Sequence, residues 1–109
     1  MFGLKVPDDA RGCLQDIHWS LGAFGYFPTY TLGNLNAAQL MRRAAADTTG
    51  LDSDLRSGNY LKLLGWLREK IHVSGQRHDP QELLRRATGE PTQAQHHLEY
   101  LRRKFLASQ

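Results

Sequence analysis

The sequence predicts an all-α protein of about five or six helices. Three observations carry that expectation. No segment sustains the period-two alternation of a half-buried strand. Apolar residues recur instead at helical spacing, as in Leu63, Leu64, Leu67 and Ile71, and again in Ala94, Leu98, Leu101 and Phe105. The chain also carries helix punctuation, with acids and prolines ahead of the apolar runs and glycines behind them.

Asp8 or Asp9 is placed to cap a short first helix running to about His18, with the other acid in its first turn. Ser20 to Phe27, rich in glycine and aromatic residues, breaks that helix. Pro28 suits the first turn of a longer helix, where its missing N–H costs nothing. This helix is expected to run to about Asp47 through Ala37, Ala38 and the alanines at 44, 45 and 46. Gly33 inside it costs roughly 1 kcal/mol against alanine and points to a close approach by a neighbouring backbone. Thr48, Thr49 and Gly50 read as a turn, and Leu51 to Ser57 as a short acidic helix closed by Gly58. Asn59 is the expected N-cap of a helix from Tyr60 to about Val73, ended by Gly75. The clearest local pattern follows: Asp79 as cap, Pro80 at the first helical position and Glu82 three residues after the cap, as in a capping box. Gly89 stops that helix, Pro91 delays the next, and Thr92 is the expected cap of the last.

At 109 residues the chain reads as a single helical domain over 1–109, with a modest core. Cys13 is its one cysteine, so no intramolecular disulfide forms, which suits a reducing, cytoplasmic setting. No apolar run follows a basic N-terminal cluster, so no signal peptide is expected. No stretch approaches the roughly 18–20 apolar residues that span a bilayer, so no membrane partner is expected. The net charge of +3 is uneven: residues 1–59 hold five Lys/Arg against six Asp/Glu, and residues 60–109 hold nine against five. A basic half is one mark of nucleic-acid binders. Here the basic residues are dispersed among acids, and the aromatics cluster in the acidic half, so nucleic acid is not the expected partner.

The chemistry-bearing side chains crowd between Gly12 and Tyr30. His18, next to Trp19 and just before a glycine turn, has two readings. It either favours a helix C-terminus through the dipole, or enters a cleft and donates to a carbonyl oxygen or a developing oxyanion. Tyr26 and Tyr30 lie four apart, and with Pro28 starting a helix they share a side. They are either two packed aromatics with surface hydroxyls, or protonated phenols that each donate one directional hydrogen bond at neutral pH. Gln15 and Asp16 read as scaffold. On a helix Asp16 is not a neighbour of His18, because i,i+2 side chains diverge, so its expected partner is a backbone amide or a basic group elsewhere. Cys13 has no evident base beside it and is expected to be a buried structural thiol. His96 and His97 point about 100° apart on a helix, and His72 and His78 flank a turn. No metal site is expected in this chain.

Gly12 to Trp19 matches G-x-x-Q-D-x-H-W, and Gly25 to Asn34 reads G-Y-F-P-T-Y-x-L-G-N. With a weaker match at Arg86-Ala87-Thr88-Gly89-Glu90-Pro91, these segments make the chain resemble the carboxypeptidase Taq family of thermostable zinc metallocarboxypeptidases. The resemblance covers nearly the whole chain and corresponds to the last part of a family member. It implies release of C-terminal amino acids from peptides. It also implies zinc in the full-length protein, held by an H-E-x-x-H motif and a downstream glutamate that precede Met1 in the family; that motif is not in this sequence.

The resemblance places His18 with Tyr26 or Tyr30 as catalytic donors to the substrate, on the cleft wall opposite the zinc helix. Arg11, just outside the fixed motif, is the candidate binder of the peptide's free carboxylate, as a bidentate guanidinium suits that group. A peptide is then a partner only if an N-terminal metal-binding part completes the cleft. With no cofactor of its own, the chain is expected to be inactive alone. Two other classes remain open: a helical protein-interaction module derived from the peptidase, and a small basic nucleic-acid binder. Trp19, Phe24, Tyr26, Phe27, Tyr30, Leu32 and Leu35 exceed what the short later helices can cover, so a homo-oligomer is expected.

Overall fold

The computed structural model describes residues 3–106. Among them are five α-helices, three short 3-10 turns and no strand, as an all-α chain requires. The helices are α1 (Pro28–Asp47), α2 (Leu51–Arg56), α3 (Leu61–Lys70), α4 (Pro80–Thr88) and α5 (Ala94–Phe105). By its internal contacts the chain divides into two compact units, Met1–Tyr30 and Thr31–Gln109, with the first turn of α1 in the former and the rest in the latter.

In the second unit, Ala44 of α1, Leu51 of α2 and Trp66 of α3 form a buried cluster, with Leu40, Leu55, Leu63 and Leu67 packed against it. Trp66, not singled out by the spacing argument, is the largest member of that core. Its indole N–H donates to Asp47 Oδ2 at 2.9 Å, so the polar edge of the ring is satisfied where α1 ends. Lys62 ties α3 to the preceding turn and to α2 through Thr49 O (3.2 Å) and Asp54 Oδ2 (2.7 Å).

The start of α4 follows the sequence pattern closely. Asp79 Oδ1 accepts from the backbone N–H groups of Gln81 and Glu82, each at 3.0 Å, and Pro80 opens the helix. The reciprocal half of a capping box is missing. Glu82 instead accepts from Arg85 and Arg86, because those guanidiniums lie one turn further along its own face. Gly89 closes α4 at φ 97°, a left-handed conformation that glycine adopts without a Cβ penalty.

Four further expectations in this unit are corrected. Thr92 does not cap α5; the cap position is Gln93, and the Thr92 hydroxyl donates to Asn36 Oδ1 of α1 at 2.7 Å. Tyr60 rather than Asn59 holds the cap position of α3, although Asn59 Oδ1 does accept from the Leu61 N–H at 3.2 Å. That helix ends at Lys70 and is followed by a 3-10 turn, His72–Ser74. Gly33 marks no close approach, since a Cβ there would meet nothing within 4 Å.

The chief junction between α1 and the α4–α5 turn is polar. Gln39, 2 % exposed, donates through Nε2 towards Thr88 Oγ1 (2.9 Å), Pro91 O (3.0 Å) and Glu90 O (3.1 Å), while its Oε1 accepts from the Gln93 N–H at 2.9 Å. A buried amide so engaged has little unmet hydrogen-bonding capacity. The Thr88-Gly89-Glu90-Pro91 pattern thus supplies a turn whose carbonyls face one glutamine.

The first unit is built differently. Asp8 caps a 3-10 turn, Asp9–Arg11, by accepting from the Arg11 N–H at 2.8 Å, with Asp9 in the first turn. No helix continues to His18. Gly12 intervenes, and a second 3-10 turn, Cys13–Gln15, ends at Asp16, which is extended. A side chain at 12 would not fit this path, because a Cβ there would lie 2.5 Å from Val6 Cγ1. The thiol of Cys13 is exposed rather than buried, since this turn carries no buried residue.

Candidate functional site

The extended backbone at Asp16 creates the site. In a helix its carboxylate would point away from His18; here it turns back on the next residue but one. Asp16 Oδ1 accepts from the His18 backbone N–H at 3.0 Å, and the imidazole Nδ1 lies 3.0 Å from Oδ2 and 3.2 Å from Oδ1. The expectation that Asp16 is remote from the imidazole is therefore corrected, while its hold on a backbone amide is found. The hydrogen bond from His18 holds the Asp16 carboxyl below the usual aspartate range.

The other imidazole nitrogen meets α1. Pro28 starts that helix, which brings Tyr30 to the ring, and the Tyr30 hydroxyl lies 3.0 Å from His18 Nε2. Tyr26 stacks on the imidazole with centroids 5.6 Å apart and planes 27° apart. Phe27 tilts over it at 4.6 Å. Tyr26 and Tyr30 meet edge to face at 5.4 Å. The two tyrosines thus differ in place: Tyr30 bonds the imidazole through its hydroxyl and Tyr26 packs its ring. The His18 side chain keeps 24 % of its exposure, so the cluster is open to a ligand.

Arg11 is not among the contacts of His18. It pairs with Asp8 across an exposed turn, Nε to Oδ2 at 3.4 Å. Trp19 and Phe24 pack on one another at 5.5 Å and remain 68 % and 69 % exposed. Asp16 is the member of the cluster that sequence reasoning missed. The available signal was the D-x-H spacing itself, which suits an aspartate that bonds the backbone two residues on once the segment is not helical.

A second polar cluster lies between α1 and α5. Arg42 Nη1 lies 3.0 Å from His96 Nδ1 and 2.6 Å from Glu99 Oε2, and His96 Nε2 reaches Glu90 Oε1. An open groove of about 1170 Å³ runs beside it, lined in part by Ala37, Met41, Tyr100 and Arg103. The apolar stripe read for α5 is not a covered face: Leu98 is 50 % and Phe105 62 % exposed, and it is His96 that turns inward.

The sequence pattern of the carboxypeptidase Taq (M32) metallopeptidases matches residues 1–105. The chain belongs to that family. It is 44 % identical over 105 residues to thermostable carboxypeptidase 1 of Thermus thermophilus, spanning 96 % of this chain and 21 % of the relative. It is 40 % identical over 103 residues to carboxypeptidase 1 of Bacillus subtilis, spanning 94 % and 21 %. Among solved structures it resembles Trypanosoma cruzi metallocarboxypeptidase 1, with a TM-score of 0.84 and 43 % identity over 94 % of this chain and 21 % of that one. An M32 carboxypeptidase from Deinococcus radiodurans superposes with a TM-score of 0.83 at 44 % identity, with the same coverage. The chain thus corresponds to about a fifth of a family carboxypeptidase. Neither the interaction-module reading nor the nucleic-acid reading finds support in these relatives.

The family implies zinc, and the described residues do not fit it. Among them no group of three or more His, Cys, Asp or Glu side chains is placed to hold a metal ion. Two half-buried histidines are engaged otherwise, His18 by Asp16 and Tyr30, and His96 by Glu90 and Arg42. Nor is any helix among the described residues long and apolar enough to cross a membrane.

Proposed function

We propose that the chain forms one wall of the substrate cleft of a metallocarboxypeptidase that releases C-terminal amino acids from peptides. The observation that best supports this is the convergence of His18, Tyr26 and Tyr30 inside the family's motif segment, with imidazole and phenol 3.0 Å apart. His18 and Tyr30 supply the polar edge that meets the scissile carbonyl, and Tyr26 props the imidazole. Arg11 is the binder of the peptide's terminal carboxylate. Its exposed pairing with Asp8 is of the kind worth about 0–1 kcal/mol, which a substrate carboxylate can displace. The family's zinc is contributed by residues other than those described, and the chain alone releases no amino acid. An exposed, unpaired Cys13 supports a cytoplasmic setting.

We further propose a homo-oligomer in the isolated chain. Trp19, Phe24, Tyr26, Phe27 and Tyr30 are each between 47 % and 69 % exposed. An apolar surface of this kind favours a two-fold contact that uses the same patch twice. Light scattering at micromolar concentration should report a dimer or larger closed assembly. A monomer that binds no apolar dye would remove the basis for it.

The functional reading is tested by complementation. Mixed with the preceding four fifths of a family member and zinc, the chain should restore release of a C-terminal residue from a blocked dipeptide. Neither part alone should do so. In the active mixture His18→Ala and Tyr30→Phe should lower kcat more than they raise KM, because a donor to the developing oxyanion, and the group that turns its proton outward, act chiefly in the transition state. Wild-type rates in both variants would reduce these residues to packing groups.

A further inference from the structure

The polar edge of the site has a direction. An ionised carboxylate only accepts hydrogen bonds. Asp16 faces His18 Nδ1 at 3.0 Å, so the ring proton of a neutral imidazole belongs on Nδ1. Nε2 then carries a lone pair and no proton. The Tyr30 hydroxyl, 3.0 Å away, must donate to it. In that state the phenol proton is directed inward, and only the oxygen's lone pairs face a ligand.

We infer that Asp16 is a positioning residue that holds His18 as the Nδ1–H tautomer and so sets whether Tyr30 accepts from or donates to a bound peptide. The inference deepens the cleft-wall reading and draws its consequence from it. With neutral His18, Tyr30 can accept from a peptide N–H but offers no proton to a carbonyl oxygen. One proton taken up at Nε2 reverses this. The imidazolium donates from both nitrogens, to Asp16 and to the Tyr30 oxygen, and the Tyr30 O–H, still protonated, turns outward to donate to an outside acceptor. No other covalent change is needed, and the proton taken up comes from solvent or from the substrate's reaction.

The groups that contact the imidazole bear this out chemically. Asp16 is its charged contact, and it accepts from Nδ1. Tyr26 and Phe27 cover the ring faces without competing for either nitrogen, and Tyr30 meets Nε2 alone. Asp16 also grips the His18 backbone N–H. The carboxylate is therefore fixed to the same residue twice, and the ring rotamer follows it. Free imidazole in water favours the opposite, Nε2–H form, so the tautomer is a direct readout of the carboxylate's influence.

The test is long-range ¹H–¹⁵N correlation NMR on the ¹⁵N-labelled chain, above the pH at which His18 becomes neutral, with the His18 signals identified by their loss in His18→Gln. In the wild type Nδ1 should be the proton-bearing nitrogen and Nε2 the bare one. Asp16→Ala should shift the population towards Nε2–H, while Tyr30→Phe should leave Nδ1–H dominant. An Nε2–H tautomer in the wild type overturns the inference, and so does an unchanged tautomer in a folded Asp16→Ala or a reversal in Tyr30→Phe. The wild-type measurement decides even where Asp16→Ala does not fold. It uses no substrate, so failure of complementation and failure of this inference are separately visible.

Discussion

Trp19 and Trp66 sit in the two units of one chain and are held by opposite means. Trp66 is 6 % exposed, enclosed by aliphatic residues of three helices, with its N–H satisfied by Asp47. Trp19 is 68 % exposed and touches Phe24. The contrast extends to the units. Among the described residues, every buried hydrophobic residue and the one buried polar residue lie between Gln39 and Ala87. Residues 3–30 contribute none, yet they carry His18, Tyr26 and Tyr30. The part that stabilises itself and the part that carries the chemistry are separate. A site held by hydrogen bonds and ring stacking, without a core beneath it, is one whose rigidity depends on what covers it.

The largest effect that can test this contrast is a pair of truncations. Trp66→Ala should cost about 3–5 kcal/mol, as for large aromatic residues removed from a core. Trp19→Ala should stay within about 0.5 kcal/mol, as for surface positions. Urea unfolding followed by far-ultraviolet circular dichroism, at concentrations where both variants are monomeric, measures the difference. A comparable loss at Trp19 would mean that residues 3–30 possess a cooperative core of their own.

Gln39→Ala comes next and sharpens the comparison within the helical unit. It removes an amide that four groups of the 88–93 turn engage, and it strands the Gln93 N–H and the Pro91 carbonyl, while the Glu90 carbonyl keeps the Thr88 hydroxyl. Orphaned buried polar groups cost about 1–3 kcal/mol. The loss should appear in equilibrium unfolding, together with faster amide exchange between Thr88 and Gln93. Exchange that accelerates uniformly over the unit would show that Gln39 acts as core packing rather than as a clamp on that turn.

The difference between the units also explains what the sequence made legible. At the ends of α1 and α4 the structure follows from local capping and spacing, as expected. Pro28 opens α1, Asp47 ends it, Asp79 and Pro80 open α4, and Gly89 closes it. Where long-range polar partners decide, the expectation failed. Thr92 was read as a cap because its residue type suits one, but Asn36, 56 positions away, claims its hydroxyl. Gln39 has no local signature at all. In the first unit the helix expected to reach His18 is interrupted at Gly12, whose backbone at φ −124° and ψ −115° separates two 3-10 turns, a break that no periodicity reveals. That single error hid the role of Asp16, because the divergence of i,i+2 side chains applies only on a helix. The candidate donors themselves were visible through their motif, but the distinct positions of Tyr26 and Tyr30 around the ring were not.

The smallest effect concerns the charge that finishes the Trp66 core. Asp47 accepts from the Trp66 indole and pairs with Arg43, Nε to Oδ1 at 2.9 Å. The indole hydrogen bond, and after it the Arg43 guanidinium, hold its carboxyl below the usual aspartate range. A carboxyl whose folded pKa lies below its unfolded one contributes stability that is fully present above the unfolded value, about 3.9. That stability is lost as pH falls through the folded value. Unfolding midpoints of the wild type should therefore decline through that acid window. Asp47→Asn keeps an oxygen that can accept from the indole but cannot ionise. It should be somewhat less stable at neutral pH and show a shallower acid decline. The effect is modest, because the pair is open to solvent, which screens it. Parallel acid limbs in the two proteins would mean that Asp47 serves Trp66 as a hydrogen-bond acceptor only, and that its charge contributes nothing to the closure of this core.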